Sequence, residues 1–419
     1  MAVNSEAAVD DYSLGKFRTL QISSLDNEPE ELEGEEVCDA MDDDESHLPV
    51  TLGFVEKPKN GWSLLRHLFP SKTGGLPTWL DPVNLPSEQS SVCGFCGEPL
   101  QFLLQVYAPI CEKESTFHRT LFVFMCSSMS CLLRDQHEQW KRPQGQSSSR
   151  SVKVFRSQLP RHNPYYSSEP PSYDGRDRPS EIEVSLCNWC GTWKGSKFCS
   201  SCRRARYCSE KHQLLHWRSG HKIDCQRTII SSELDLSPGK IEITVEKIPK
   251  AASKNLCAEY EIICVDESDY DAYMAEDGTH ASTLASEVHM NETAKSILEN
   301  FEGDDDKESW ASFQERIAKA PEQVLRYCRS VAATPLWPIS SGRPSPADIP
   351  KCSFCGGLRS LELQVLPQLL YYFGVKNDAD SLDWATIVVY TCEASCEAGL
   401  GCREEFAWVQ LSSPSATIP

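Results

Sequence analysis

Eight residues of metal-ligand type fall between Cys187 and Cys225, in the order Cys187-x2-Cys190, Cys199-x2-Cys202, Cys208-x3-His212 and His221-x3-Cys225. A C-x2-C pair brings two thiolates to one tetrahedral ion from a tight knuckle. An x3 pair places two ligands one turn apart on a single helix face. Four such pairs make two closed four-ligand zinc sites, with no coordination position left for water. Closed sites hold a fold together, whereas a catalytic zinc keeps a place open. His216 competes with His212 as a ligand but breaks the x3 spacing.

A second set of cysteines is repeated. Cys93-Gly-Phe-Cys96-Gly in the first third of the chain matches Cys352-Ser-Phe-Cys355-Gly near its end. Each is followed at the same distance by Leu-Gln-Val, at 104–106 and 363–365, and then by Pro109 or Pro367. Downstream, Leu121-Phe-Val-Phe-Met runs into Cys126-x4-Cys131, as Ile387-Val-Val-Tyr-Thr runs into Cys392-x3-Cys396. Two knuckles separated by a β-rich stretch have the form of a zinc ribbon. The expected ligand sets are Cys93, Cys96, Cys126 and Cys131 for one zinc, and Cys352, Cys355, Cys392 and Cys396 for another. The β-branched and aromatic residues between the knuckles favour strands with a buried face. The two halves are expected to pack as one pseudo-symmetric unit, with the central finger and an acidic segment projecting from between them. Cys38, Cys111, Cys257, Cys264, Cys328 and Cys402 carry no pairing motif and are assigned to packing or surface positions.

The elements that must position these ligands are bounded by size and charge. A length of 419 residues allows roughly three domains. No apolar run approaches the ~18 residues of a membrane span, and the acidic N-terminus lacks an apolar signal core. Cysteines in C-x2-C pairs of such a chain point to metal binding in a reducing compartment, cytoplasm or nucleus. The net charge is −20, with 16 acids against 4 bases in residues 1–60 and 20 against 6 in residues 233–308. The finger is opposite in sign, with 8 bases and 2 acids. Acidic segments repel phosphates and attract basic proteins. No base-reading helix pattern accompanies the basic finger, so direct nucleic-acid binding is not expected.

The domain reading is 1–48 acidic disordered tail, 49–163 N-terminal β domain, 164–186 linker, 187–225 finger, 226–330 acidic insert with short strands and helices, and 331–415 C-terminal domain. Within the insert, residues 240–248 alternate like a strand and 258–265 read as a further strand. Asp266 to Gly278 mixes acids with Tyr270, Tyr273 and Met274, as a docking strand or solvated loop for basic partners would. Trp310, Phe313 and Ile317 have helical spacing, and Pro321 is expected to start a new helix through Val324, Leu325 and Cys328. Phe69 to Leu80, "FPSKTGGLPTWL", is a turn-rich anchor, with Trp62 and Trp79 as core or interface aromatics. The fold class is therefore mainly β with some α: pseudo-duplicated zinc-ribbon-like halves forming one unit, an inserted finger and an acidic linker. No Ser-His-Asp order, P-loop, HExxH or dinucleotide fingerprint is present, so the chain is read as a binding protein, not an enzyme.

The stretch "CNWCGTWKGSKFCSSCRRARYCSEKHQLLHWRSGHKIDC" resembles the MYND zinc finger family. That resemblance implies a cross-brace, with Cys187, Cys190, Cys208 and His212 on one zinc and Cys199, Cys202, His221 and Cys225 on the other. Most such fingers carry cysteine where this chain has His212. The wider set "FPSKTGGLPTWL", "CGFCGEPLQFLLQVYAP", "VFRSQLPR", "APEQVLRY", "LQVLPQLLYYF", "DWATIVVYTCEASC" and "EEFAWVQ" resembles the programmed cell death protein 2 family, in its finger-bearing branch. The resemblance covers roughly residues 50–410. It implies a dedicated chaperone that captures one basic small-subunit ribosomal protein, the homologue of bacterial S-five, and delivers it for 40S ribosome assembly. The competing expectation is a nuclear adaptor whose finger binds proline-containing peptides of transcriptional corepressors, with Gln213 and Trp217 on the groove-forming helix.

Overall fold

The computed structural model describes residues 48–141, 149–173, 184–227, 257–276, 304–375, 381–397 and 401–412. Strands form where β-branched and aromatic residues cluster. They are β1 (Thr51–Glu56), β2 (Lys72–Thr73), β3 (Gln101–Tyr107), β4 (His118–Met125), β5 (Val152–Leu159), the short finger strands β6 (Lys197–Phe198) and β7 (Arg206–Tyr207), β8 (Tyr260–Asp266), β9 (Leu325–Tyr327), β10 (Arg359–Val365), β11 (Thr386–Cys392) and β12 (Arg403–Gln410). Helices are α1 (Met129–Lys141), α2 (Glu210–His216), α3 (Glu267–Glu276), α4 (Asp304–Ala318) and α5 (Leu369–Tyr372).

Ten strands close into a barrel in the order β1-β8-β2-β3-β4-β5-β12-β11-β10-β9, with β9 returning to β1. Every pairing is antiparallel. Closure leaves no free strand edge among them. Alternation sorts the side chains of β4. Leu121, Val123 and Met125 join the interior cluster with Val106, Val154, Leu363, Val389 and Val409, while Phe122 and Phe124 point to a second, outer cluster. Both hairpins that follow a C-x2-C pair carry a register shift at the matching place, between Phe102 and Leu104 in β3 and between Leu361 and Leu363 in β10.

The barrel draws strands from more of the chain than two ribbons would. β8, from the acidic insert, lies between β1 and β2, and β9 closes the ring. The insert is thus part of the barrel rather than a projection from it, and a boundary at 331 falls after a barrel strand. Gly74 makes this re-entry sterically feasible. Its φ is +67°, and a Cβ there would sit 2.0 Å from the Ala258 carbonyl oxygen. Of the stretch Asp266 to Gly278, read as a docking strand or solvated loop, residues 267–276 instead form α3, which starts directly after β8, and residues 277–278 lie outside the described residues. The buried Glu267 of α3 takes ion pairs from Arg316 at 2.6 Å and Arg326 at 3.0 Å. Pro321 opens a turn into strand β9, not a helix, because Val324 and Leu325 are held by pairing with Gly53 of β1. Trp310, Phe313 and Ile317 do lie on a helix, α4. The strand expected at 240–248, most of the tail and Cys38 lie outside the described residues.

The finger also does not project. Trp193 is buried against Trp79, Phe124 and Phe155 of the barrel's outer face. Its indole N–H donates to the Leu100 carbonyl at 2.8 Å, and the Trp79 N–H donates to Thr192 at 2.9 Å. Lys211 reaches Glu98 at 2.6 Å. Finger and barrel share one core. Among the described residues no helix is long and apolar enough to cross a membrane.

Candidate metal centres

Four knuckles have one backbone plan. In each, the N–H of the residue after the second cysteine donates to the carbonyl of the first: Gly97 to Cys93, Gly191 to Cys187, Arg203 to Cys199 and Gly356 to Cys352, at 2.8–3.0 Å. The first cysteine's own N–H donates back to Glu98, Trp193, Ala205 or Gly357, at 2.8–2.9 Å. The turn needs a left-handed residue after the second cysteine. Three knuckles use glycine there, and Arg203 adopts φ 54° in the fourth. That is why C-x-x-C-Gly recurs in the chain.

The second half of each site comes from a strand end or a helix. Cys126 and Cys392 stand at the ends of β4 and β11, Cys131 in the first turn of α1, and Cys396 in the turn after β11. In the finger, Ser209 caps α2 by accepting from the His212 N–H at 3.1 Å, so His212 comes round one turn after Cys208. Gly220, at φ 145°, breaks the helical path just before His221.

The structure brings the sixteen residues together in four quartets: Cys93, Cys96, Cys126, Cys131; Cys187, Cys190, Cys208, His212; Cys199, Cys202, His221, Cys225; and Cys352, Cys355, Cys392, Cys396. Within each, the ligand atoms lie within 4.8 Å of one another. A tetrahedral zinc with bonds of about 2.3 Å to sulfur sets its sulfurs about 3.8 Å apart. The Sγ pairs are at 3.7 Å (Cys96 and Cys126), 3.9 Å (Cys190 and Cys208), 3.8 Å (Cys199 and Cys225), 3.7 Å (Cys352 and Cys396) and 3.6 Å (Cys355 and Cys392). His212 presents Nδ1, 3.7 Å from Cys187 Sγ and 3.2 Å from Cys208 Sγ, and His221 presents Nε2, 3.7 Å from Cys202 Sγ. His216 stands outside: its Nδ1 meets the Tyr207 hydroxyl at 3.0 Å and its ring stacks on His221. The donor sets fit zinc. With all four positions supplied by the protein, a zinc held there would be structural, with no site left for water.

The barrel quartets sit at opposite ends. β5 begins beside the first, where Val152 pairs with Met125, and its far half meets the second, where Arg156 pairs with Arg403 and donates to the Cys396 carbonyl. Beside the second quartet the interior is ionic. Glu362 accepts from both terminal nitrogens of Arg119, from the Tyr327 hydroxyl at 3.0 Å and from Thr391. Glu405 accepts from Arg156 at 2.7 Å and Arg359 at 2.8 Å. Burial opposes ionisation of Glu362, but the Arg119 charge and these hydrogen bonds win and bring its carboxyl down to about 2.

The sequence reading had no place for Arg134 and Arg403. Their guanidinium groups lie over the knuckle rings Phe95 and Phe354, at 5.0 and 4.1 Å. The repeated Phe in C-x-F-C was the available signal. Of the cysteines outside the quartets, Cys264 and Cys328 are buried, Cys257 and Cys402 half-buried, and Cys111 exposed.

Residues 49–173 match the programmed cell death protein 2 N-terminal domain, 307–411 its C-terminal putative domain, and 187–225 the MYND finger. Programmed cell death protein 2 from Bos taurus is 37% identical over 378 residues, covering 87% of this chain and 97% of the relative. The chain belongs to the programmed cell death protein 2 family. The Rattus norvegicus protein is 36% identical, with 87% and 97% covered, and Programmed cell death protein 2-like from Gallus gallus is 30% identical, with 73% and 80% covered. No solved structure gives a significant match. In this family member the two matched domains are halves of one barrel, and β8 falls between them and outside the finger.

Proposed function

We propose that this chain is a dedicated chaperone that captures one basic small-subunit ribosomal protein, the homologue of bacterial S-five, and hands it to the assembling 40S subunit. The family resemblance suggests the client. The observation that carries the reading is the net charge of −20 on a chain whose closed barrel carries two cysteine quartets able to hold zinc. A ribosomal protein is strongly basic before it meets RNA, and an acidic scaffold complements it and speeds its capture. In this reading the chain binds and does not catalyse. It works in cytoplasm and nucleus, and zinc occupies both barrel quartets, which descend from a duplicated ribbon-like half.

Isolation of ribosomes that are translating while bound to the tagged chain tests the function. Enrichment of the messenger for that one ribosomal protein is expected. Enrichment of chromatin regulators without it would favour the adaptor. In the adaptor reading Gln213 and Trp217 would line the peptide groove; Trp217 is partly buried, packed against the finger's cluster and edge-on to His221.

A further inference from the structure

The four quartets differ in what can reach their sulfurs. Each barrel quartet has one exposed cysteine, Cys96 at the first end and Cys355 at the second. In the finger no ligand cysteine is exposed: Cys190 and Cys202 are half-buried, and Cys187, Cys199, Cys208 and Cys225 are buried. Around Cys355 the whole knuckle is open, with residues 353–356 all exposed. Each exposed cysteine also stands against a buried partner. Cys355 Sγ lies 3.6 Å from Cys392 Sγ, and Cys96 Sγ 3.7 Å from Cys126 Sγ. An approach of about 1.6 Å would bond either pair.

The donor sets point the same way. The barrel quartets are all cysteine, whereas each finger quartet has three cysteines and a histidine. Four thiolates on a dication leave two net negative charges, and three with a neutral imidazole leave one. The more anionic set has the more nucleophilic sulfurs, and the imidazole gives an oxidant no thiolate to attack.

We propose that Cys355 with Cys392, and Cys96 with Cys126, are sites of oxidation by hydrogen peroxide that close to disulfides and release the barrel zincs while the finger keeps its own. The proposal rests on the reading that zinc occupies both barrel quartets, and it adds a modification that empties them. The exposed thiolate attacks one peroxide oxygen: an S–O bond forms, the O–O bond breaks and hydroxide leaves, giving a sulfenic acid. The partner thiolate then attacks that sulfur: the S–S bond forms, the S–O bond breaks and a second hydroxide leaves. In sum, two thiolates and one peroxide give one disulfide and two hydroxides, with two electrons passing from sulfur to oxygen. Zinc is left with two of its four donors and departs, and the two remaining thiolates take up protons.

The test treats the full zinc-loaded chain with a small molar excess of hydrogen peroxide, quenched with catalase. Zinc is counted by native mass spectrometry before and after, and disulfides are mapped on peptides after free thiols are blocked. A fall from four zincs to two is expected, with Cys96–Cys126 and Cys355–Cys392 linked and the finger cysteines still free to be blocked. Dithiothreitol with added zinc should restore all four. Cys355→His keeps a zinc donor but removes the exposed thiol, so its count should fall only to three. If that variant does not hold four zincs beforehand, the parent's count and disulfide map decide alone. Four zincs retained after peroxide would overturn the proposal and leave barrel occupancy standing. Finger zinc lost first, or disulfides confined to other pairs, would overturn it too. Two zincs before any peroxide would sink the occupancy reading, and the proposal with it.

Discussion

The two ends of the barrel have the same backbone plan and opposite fillings. Each has a knuckle, a hairpin with a matching register shift and a cysteine quartet. Beside the first quartet the interior positions are Leu103, Met125 and Val152, with Leu132 of α1 packed among them. The corresponding positions beside the second are Glu362, Thr391 and Glu405, completed by Arg119 and Arg156. Outside, the first end lies under α1 and the finger, whereas the second leaves Phe354 and Leu358 exposed. What the two share is therefore the zinc-ligand geometry. An apolar filling is tolerant, while buried ions are stable only as complete sets.

Removing a zinc ligand should act alike at both ends and have the largest effect. A structural zinc supplies ~10–16 kcal/mol in small sites. Cys126→Ala and Cys392→Ala should each cost one bound zinc and collapse the cooperative melt, measured by elemental analysis and calorimetry. A variant that keeps the parent melt at one end only would break the equivalence.

The fillings should separate next. Glu362→Ala leaves Arg119 buried and unpaired and should cost about 3–5 kcal/mol. Adding Arg119→Met to Glu362→Leu imitates the first end and should recover most of that loss, in denaturant titrations. Failure of the apolar pair to recover stability would mean the ionic end is more than an alternative filling. At the first end, Trp193→Ala should cost about 3–5 kcal/mol by opening the shared finger–barrel core. An unchanged barrel melt in that variant would restore the picture of an independent finger.

Acid sharpens the contrast. The Glu362 carboxyl sits at about 2 in the fold against an ordinary value of 4.5. Its contribution is complete above about 4.5 and is lost as pH falls toward 2, because the unfolded chain binds the proton first. Stability of the Arg119→Met, Glu362→Leu variant should fall less over that window. The smallest effect is expected from the half-exposed Lys211–Glu98 pair that ties the finger to the first end. Lys211→Ala should cost less than about 1 kcal/mol.

The quartets were legible because knuckle geometry is local: two cysteines, two residues between them and a left-handed residue after them are consecutive in the chain. The barrel was not. β8 pairs with β1 across the whole finger, and no local pattern announces such a partner. The ionic end also hid itself, since charged side chains are rarely fully buried, yet Arg119, Arg156, Glu362 and Glu405 all are. Val324 to Cys328 had helical spacing, but three residues of β9 are too few for periodicity to decide. Helix α3 could have been found from Tyr270 and Met274, four apart, with Glu267 and Asp269 in the first turn.

The central claim is that zinc pins both ends of the barrel as well as the finger. Native mass spectrometry of the full chain, purified without chelator, tests it directly. Four zinc ions per chain are predicted, falling to three in Cys126→Ala and in Cys392→Ala alike; two zinc ions in the parent chain, both lost with the finger ligands, would contradict it.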